Sequence, residues 1–137
     1  MEGYRHRIMD SLLEKKLQAK GAVLIEGPKW CGKTTTAEEI AASKILLART
    51  DVKNNFKSLL EIDTDAALTG ETPMLIDEWQ TVPKLWDAVR YTVDHRRKMG
   101  QFILTGSAVP NKEAEEEREH SGTGRFAWLT MRPMTLF

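Results

Sequence analysis

Three short stretches carry side chains whose types and spacing can do chemistry. In Gly27-Pro28-Lys29-Trp30-Cys31-Gly32-Lys33-Thr34 a glycine, four other residues and then Gly-Lys-Thr stand directly behind an apolar run. The two glycines permit backbone angles that turn successive amide N–H groups inward as a nest for an anion. Lys33 can reach the β and γ phosphates of a nucleotide as a point charge, and Thr34 can ligate Mg²⁺ through its hydroxyl. A helix starting here turns the positive end of its dipole toward the same anion. The loop residues Pro28, Lys29, Trp30 and Cys31, with Thr35 on the helix side, complete the expected phosphate-contacting set. The plainer alternative is a strand-to-helix turn whose glycines serve steric needs only; a buried-type strand before the loop and a helix after it favour the phosphate cradle. Cys31 reads as a small filler, although nearby positive potential would favour its thiolate.

The second stretch is Met74-Leu75-Ile76-Asp77-Glu78. An aspartate at the end of an apolar strand suits the task of holding Mg²⁺ through water, and the glutamate beside it can orient and deprotonate an attacking water. An isolated Asp-Glu pair is usually a solvated strand end. Behind a complete phosphate loop the functional reading is favoured, and the pair points to hydrolysis. The third is Thr105-Gly106-Ser107, which closes the apolar run Phe102 to Leu104. Ligands of open parallel sheets sit at the carboxyl ends of strands, so a hydroxyl here can sense a γ-phosphate or place water; a helix cap or turn serine fits equally well.

The elements needed to position these residues follow from hydrophobic spacing. Leu12, Leu13 and Leu17, with Ile8 and Met9 a turn earlier, predict an amphipathic helix ending near Gly21. Ala22 to Ile25 predicts a strand buried on both faces. Lys33 to Ser43 has helix-forming composition, Ile45 to Ala48 is a weak strand, and 51–72 is polar without a clear period. Pro83 opens a predicted helix with Trp86, Val89 and Val93 inward, closing at Gly100. Phe102 to Leu104 and Phe126 to Met131 are the remaining strands. The alternation predicts a three-layer α/β domain with a mainly parallel central sheet flanked by helices. The expected division is one core over 1–137: an N-terminal helix over 1–20, the motif-bearing core over 21–110, a charged loop over 111–124 and a last strand region over 125–137. The apolar ending Met134-Thr135-Leu136-Phe137 reads as a cut.

Bulk properties bound the rest. A chain of 137 residues supports one core. Twenty basic and twenty acidic side chains balance, so no global field draws it to nucleic acid or to anionic membrane. His95-Arg96-Arg97-Lys98 is the one compact basic run and reads as an exposed helix C-terminus whose cations suit the dipole, so nucleic acid is not indicated. A single cysteine and the lack of a signal peptide or membrane span predict a cytoplasmic protein. Trp79 and Trp86 read as packing residues.

Taken in order, the three motifs resemble the AAA+ division of P-loop ATPases. GPKWCGKTTTA resembles the Walker A motif, MLIDEWQ the Walker B motif and FILTGSAVP the sensor-1 strand. More narrowly, YRHRIMDSLLEKKL, LIDEWQTVPKLWDAVR and HSGTGRFAWLTMRPMTLF are similar to a prokaryotic family of predicted AAA-type ATPases that carry an uncharacterised C-terminal domain. The resemblance implies an AAA+/ASCE-like P-loop fold with an extra strand between the two Walker strands, here Phe102 to Thr105. It implies ATP and Mg²⁺ as ligands, with Gly27, Gly32, Lys33 and Thr34 on phosphates and metal, Asp77 on the metal and Glu78 on water. Thr105 or Ser107 would sense the γ-phosphate, and Arg125 is the best arginine finger, with Arg118 and Arg132 as alternatives. Tyr4 and Arg7 match a region near the base. The implied function is Mg²⁺-dependent ATP hydrolysis that moves a C-terminal part beyond this chain, with a homo-oligomer or a partner protein completing the site. A nucleotide-gated switch with little turnover and a P-loop kinase are the competing readings.

Overall fold

The structure, a computed structural model, describes residues 2–27, 33–106 and 126–130. Five strands form one sheet: β1 (Ala22–Glu26), β2 (Ser43–Leu46), β3 (Met74–Asp77), β4 (Phe102–Gly106) and β5 (Phe126–Thr130). Their order is β2-β3-β4-β1-β5, and every pairing is parallel. The helices are α1 (Glu2–Ala19), α2 (Lys33–Ile40), α3 (Thr50–Ile62), α4 (Thr64–Ala67) and α5 (Leu85–Arg96). Among the described residues no helix is long and apolar enough to cross a membrane.

Strand side chains alternate between two cores because successive Cβ atoms leave opposite faces of a strand. Ala22, Leu24, Met74, Ile76, Phe102, Leu104 and Phe126 pack under α3, α4 and α5. Val23, Ile25, Leu75 and Ile103 meet Leu13 and Leu17 of α1 and Ala37 of α2 on the other face. The expected three layers are present, and β4 lies between β1 and β3, where the extra strand was expected.

Several boundaries differ from the sequence reading. β2 runs over Ser43–Leu46 instead of Ile45 to Ala48. Pairing with β3 sets that register, placing Ser43 opposite Met74 and Leu46 opposite Asp77. α2 stops at Ile40. The polar stretch after Asp51 is largely helical: α3 buries Phe56 and Leu60, one turn apart, and leaves Ile62 exposed. Asp63 then caps α4, accepting from the Ala66 N–H at 3.2 Å. α5 starts at Leu85, two residues after Pro83, and its inner face of Trp86, Val89 and Val93 is buried as expected. It ends at Arg96, where Arg97 at φ 54° takes the left-handed position and donates its N–H to the Val93 carbonyl. Gly100, at φ +65°, makes the next reversal. In α1 Leu13 and Leu17 are buried, and Leu12 is outside the stripe.

Candidate functional site at the strand carboxyl ends

Parallel pairing brings the three motif-bearing strands to one edge at one level. Thr105 of β4 stands between Ile25 of β1 and Asp77 of β3. Glu26 pairs with Gly106, and the Gly27 N–H donates to the Gly106 carbonyl at 3.3 Å. The first glycine of the phosphate loop is thereby tied to the end of β4. From there the chain reaches α2, whose first turn carries Lys33, Thr34 and Thr35; their backbones are helical, and their side chains lie outside what the structure describes. Pro28, Lys29, Trp30, Cys31, Gly32, Ser107, Arg118, Arg125 and Arg132 lie outside the described residues, and so do the side chains of Tyr4 and Arg7 in α1.

Asp77 is the last residue of β3 and only 8% exposed. A buried carboxylate needs donors to offset lost hydration, and the Thr105 hydroxyl supplies one at 2.5 Å. Thr105 is fully buried. This pairing was not foreseen: no periodicity reveals that residues 28 apart share a register position across two strands.

After Asp77 the chain turns sharply. Glu78 sits at φ 58°, ψ 47°, the left-handed region that a non-glycine residue seldom occupies. A single 3₁₀ turn over Trp79–Thr81 follows. The Thr81 hydroxyl and N–H both donate to the Glu78 carbonyl, at 2.9 and 3.1 Å. The Gln80 amide donates Nε2–H to the Glu78 carboxylate at 2.5 Å. Trp79 is buried, its ring 5.3 Å from that of Trp86, and Trp86 stacks on Phe126 at 4.0 Å. Both tryptophans are packing residues. Gln80 carries no signal in the sequence, since its place depends on the left-handed turn at Glu78.

The arrangement combines a glycine loop leading into a helix with a buried acid and a half-buried second acid one residue on. That donor chemistry fits a magnesium nucleotide: Mg²⁺ is usually held by one or two carboxylates together with substrate phosphates and water, and a helix N-terminus attracts phosphate. A family model described as an AAA domain matches residues 19–137. The chain belongs to the AAA domain family. Membership supports nucleotide binding of the ATPase type by this domain. Two uncharacterized proteins, from Mycobacterium bovis and Mycobacterium tuberculosis, are each 31% identical over 100 residues, covering 72% of this chain and 22% of theirs. The chain therefore spans about a fifth of the length of the curated relatives it matches. Among solved structures, that of C. elegans PCH-2 superposes with a TM-score of 0.49 at 16% identity, covering 96% of this chain and 42% of that one.

Proposed function

We propose that this AAA domain binds ATP with Mg²⁺ and hydrolyses it, driving a conformational change in a C-terminal part of a longer protein. The observation that carries the reading is the placement of Asp77 and Glu78 at the end of β3, one strand from the Gly106 carbonyl that holds the first residue of the phosphate loop. In this reading Gly27, Pro28, Lys29, Trp30, Cys31, Gly32, Lys33, Thr34 and Thr35 hold the phosphates, and Thr34 and Asp77 hold Mg²⁺. Mg²⁺ held by these residues would supply positive charge to offset that of the phosphates.

Glu78 orients a water and takes its proton. Thr105 acts through Asp77, because its hydroxyl is committed to that carboxylate; Ser107 is the residue of the same motif assigned to the γ-phosphate. Arg125 is assigned as an arginine finger that acts on the phosphates of a neighbouring copy. Arg125 in that role implies a homo-oligomer and a contribution of about 10³–10⁵ in rate.

Glu78→Gln tests the reading. General-base removal costs about 10²–10⁴ in rate, so the variant should bind ATP as tightly as the parent while phosphate release falls by that factor. Undiminished release would remove Glu78 from the mechanism. Phosphate release that requires an added phosphoryl acceptor would instead point to a kinase.

A further inference from the structure

Gln80 has two ends in unlike surroundings. Its Nε2–H is donated to Oε2 of Glu78. Its Oε1 is buried and has no hydrogen-bond partner among the described residues. The orientation is forced, because an ionised carboxylate only accepts, so the NH₂ must face Glu78 and the carbonyl must face the other way. What lies on that other side is Gly106. A Cβ on Gly106 would come within 2.7 Å of Gln80 Oε1 and 2.9 Å of Trp79 Nε1, so the lack of a side chain there lets the amide approach the end of β4. The same Gly106 accepts the Gly27 N–H. Glu78, Gln80, Gly106 and Gly27 therefore form one contiguous line from the acid to the phosphate loop.

We infer that Gln80 is a positioning residue for Glu78, fixing the carboxylate through its amide N–H and tying that orientation, through its carbonyl end against Gly106, to the end of β4 that accepts the Gly27 N–H. The inference rests on the reading of Glu78 as the residue that orients and deprotonates water. With Oε2 of Glu78 engaged, Oε1 is the oxygen presented to water. Gln80 itself neither takes nor gives a proton. A buried acceptor without a donor among the described residues, next to a glutamate in a left-handed turn, is a local cost that packing alone does not explain, since a methionine of similar length would fill the same space without it.

The experiment compares the parent chain with Gln80→Met, Glu78→Ala and Glu78→Gln, with and without a non-hydrolysable ATP analogue and Mg²⁺. The chain has three glutamines, Gln18, Gln80 and Gln101, so selective ¹⁵N-glutamine labelling gives a spectrum in which Gln80→Met assigns one side-chain amide pair. In the ligand-free protein that pair should shift on Glu78→Ala, while those of Gln18 and Gln101 stay in place. With the analogue it should move again. In turnover, Gln80→Met should lower kcat by roughly tenfold to a hundredfold, as expected for a misoriented catalytic group, with KM within about threefold of the parent. An amide pair indifferent to Glu78→Ala would overturn the inference, as would a Gln80→Met kcat within twofold of the parent while Glu78→Gln is inactive. Full turnover by Glu78→Gln would instead reject the underlying reading of Glu78.

Discussion

The two ends of the sheet are built on opposite terms. At the amino ends of β1, β3 and β4 the connecting segments are joined by backbone hydrogen bonds. Gly100 donates to the Lys20 carbonyl at 2.9 Å, Gln101 to Gly21 at 2.8 Å and Met74 to Gln101 at 2.9 Å. The Gln101 side chain, 2% exposed, uses both ends of its amide: Nε2–H goes to the Lys98 carbonyl at 2.8 Å, and Oε1 accepts from Arg96 at 3.5 Å. Arg96 also donates to the Leu68 carbonyl at 3.3 Å and lies over the Phe102 ring. At the carboxyl ends stand a buried aspartate, a glutamate in a left-handed turn and a glutamine with one end of its amide unanswered among the described residues. A glutamine of the first kind stabilises a fold; one of the second kind sits where the fold has been bent toward chemistry.

The contrast can be broken at its costliest point first. Thr105→Val removes the hydroxyl that Asp77 accepts from and leaves a buried carboxylate short of a charge-assisted hydrogen bond, a loss of about 1.5–3 kcal/mol. Denaturant melts should show it, and melts unchanged from the parent would mean that the Thr105 hydroxyl does not stabilise Asp77. At the amino ends, Gln101→Met should cost about 1–2 kcal/mol by stranding the Lys98 carbonyl and one Arg96 donor, with nucleotide affinity unchanged. The smallest stability effect belongs to Gln80→Met, within about 0.5 kcal/mol, since the hydrogen bond lost is offset by removal of the orphaned acceptor. Equal melting losses for Gln101→Met and Gln80→Met would erase the distinction between the two ends.

Most of the architecture was readable from hydrophobic period and punctuation. Short apolar runs ending at Glu26, Asp77 and Gly106 belong to the central strands of the sheet, and the helix between two of them buries the expected Trp86, Val89 and Val93. In α3 the period was legible but missed: Val52, Phe56 and Leu60 recur every four residues among polar neighbours, and Phe56 and Leu60 are buried. β2 is an edge strand with no fully buried residue, so its limits come from pairing with β3. The basic run at 95–98 is the exposed helix C-terminus that was expected, with Arg96 in addition held by Leu68, Gln101 and Phe102. At the site, the identities of Asp77, Glu78 and Thr105 were readable, but the contact between Thr105 and Asp77 and the place of Gln80 depend on register and on a left-handed turn. Neither of these leaves a mark on composition or spacing.

The carboxyl ends of β1, β3 and β4 are proposed here as a phosphate and Mg²⁺ site. That proposal is tested most directly by titrating the chain with ATP and Mg²⁺ while following tryptophan emission, since Trp30 lies within the phosphate-loop sequence, with Lys33→Ala in parallel. Saturable binding by the parent chain and its loss in Lys33→Ala is the predicted result. Identical titrations for the two folded proteins, or no binding by either at low salt, would contradict it.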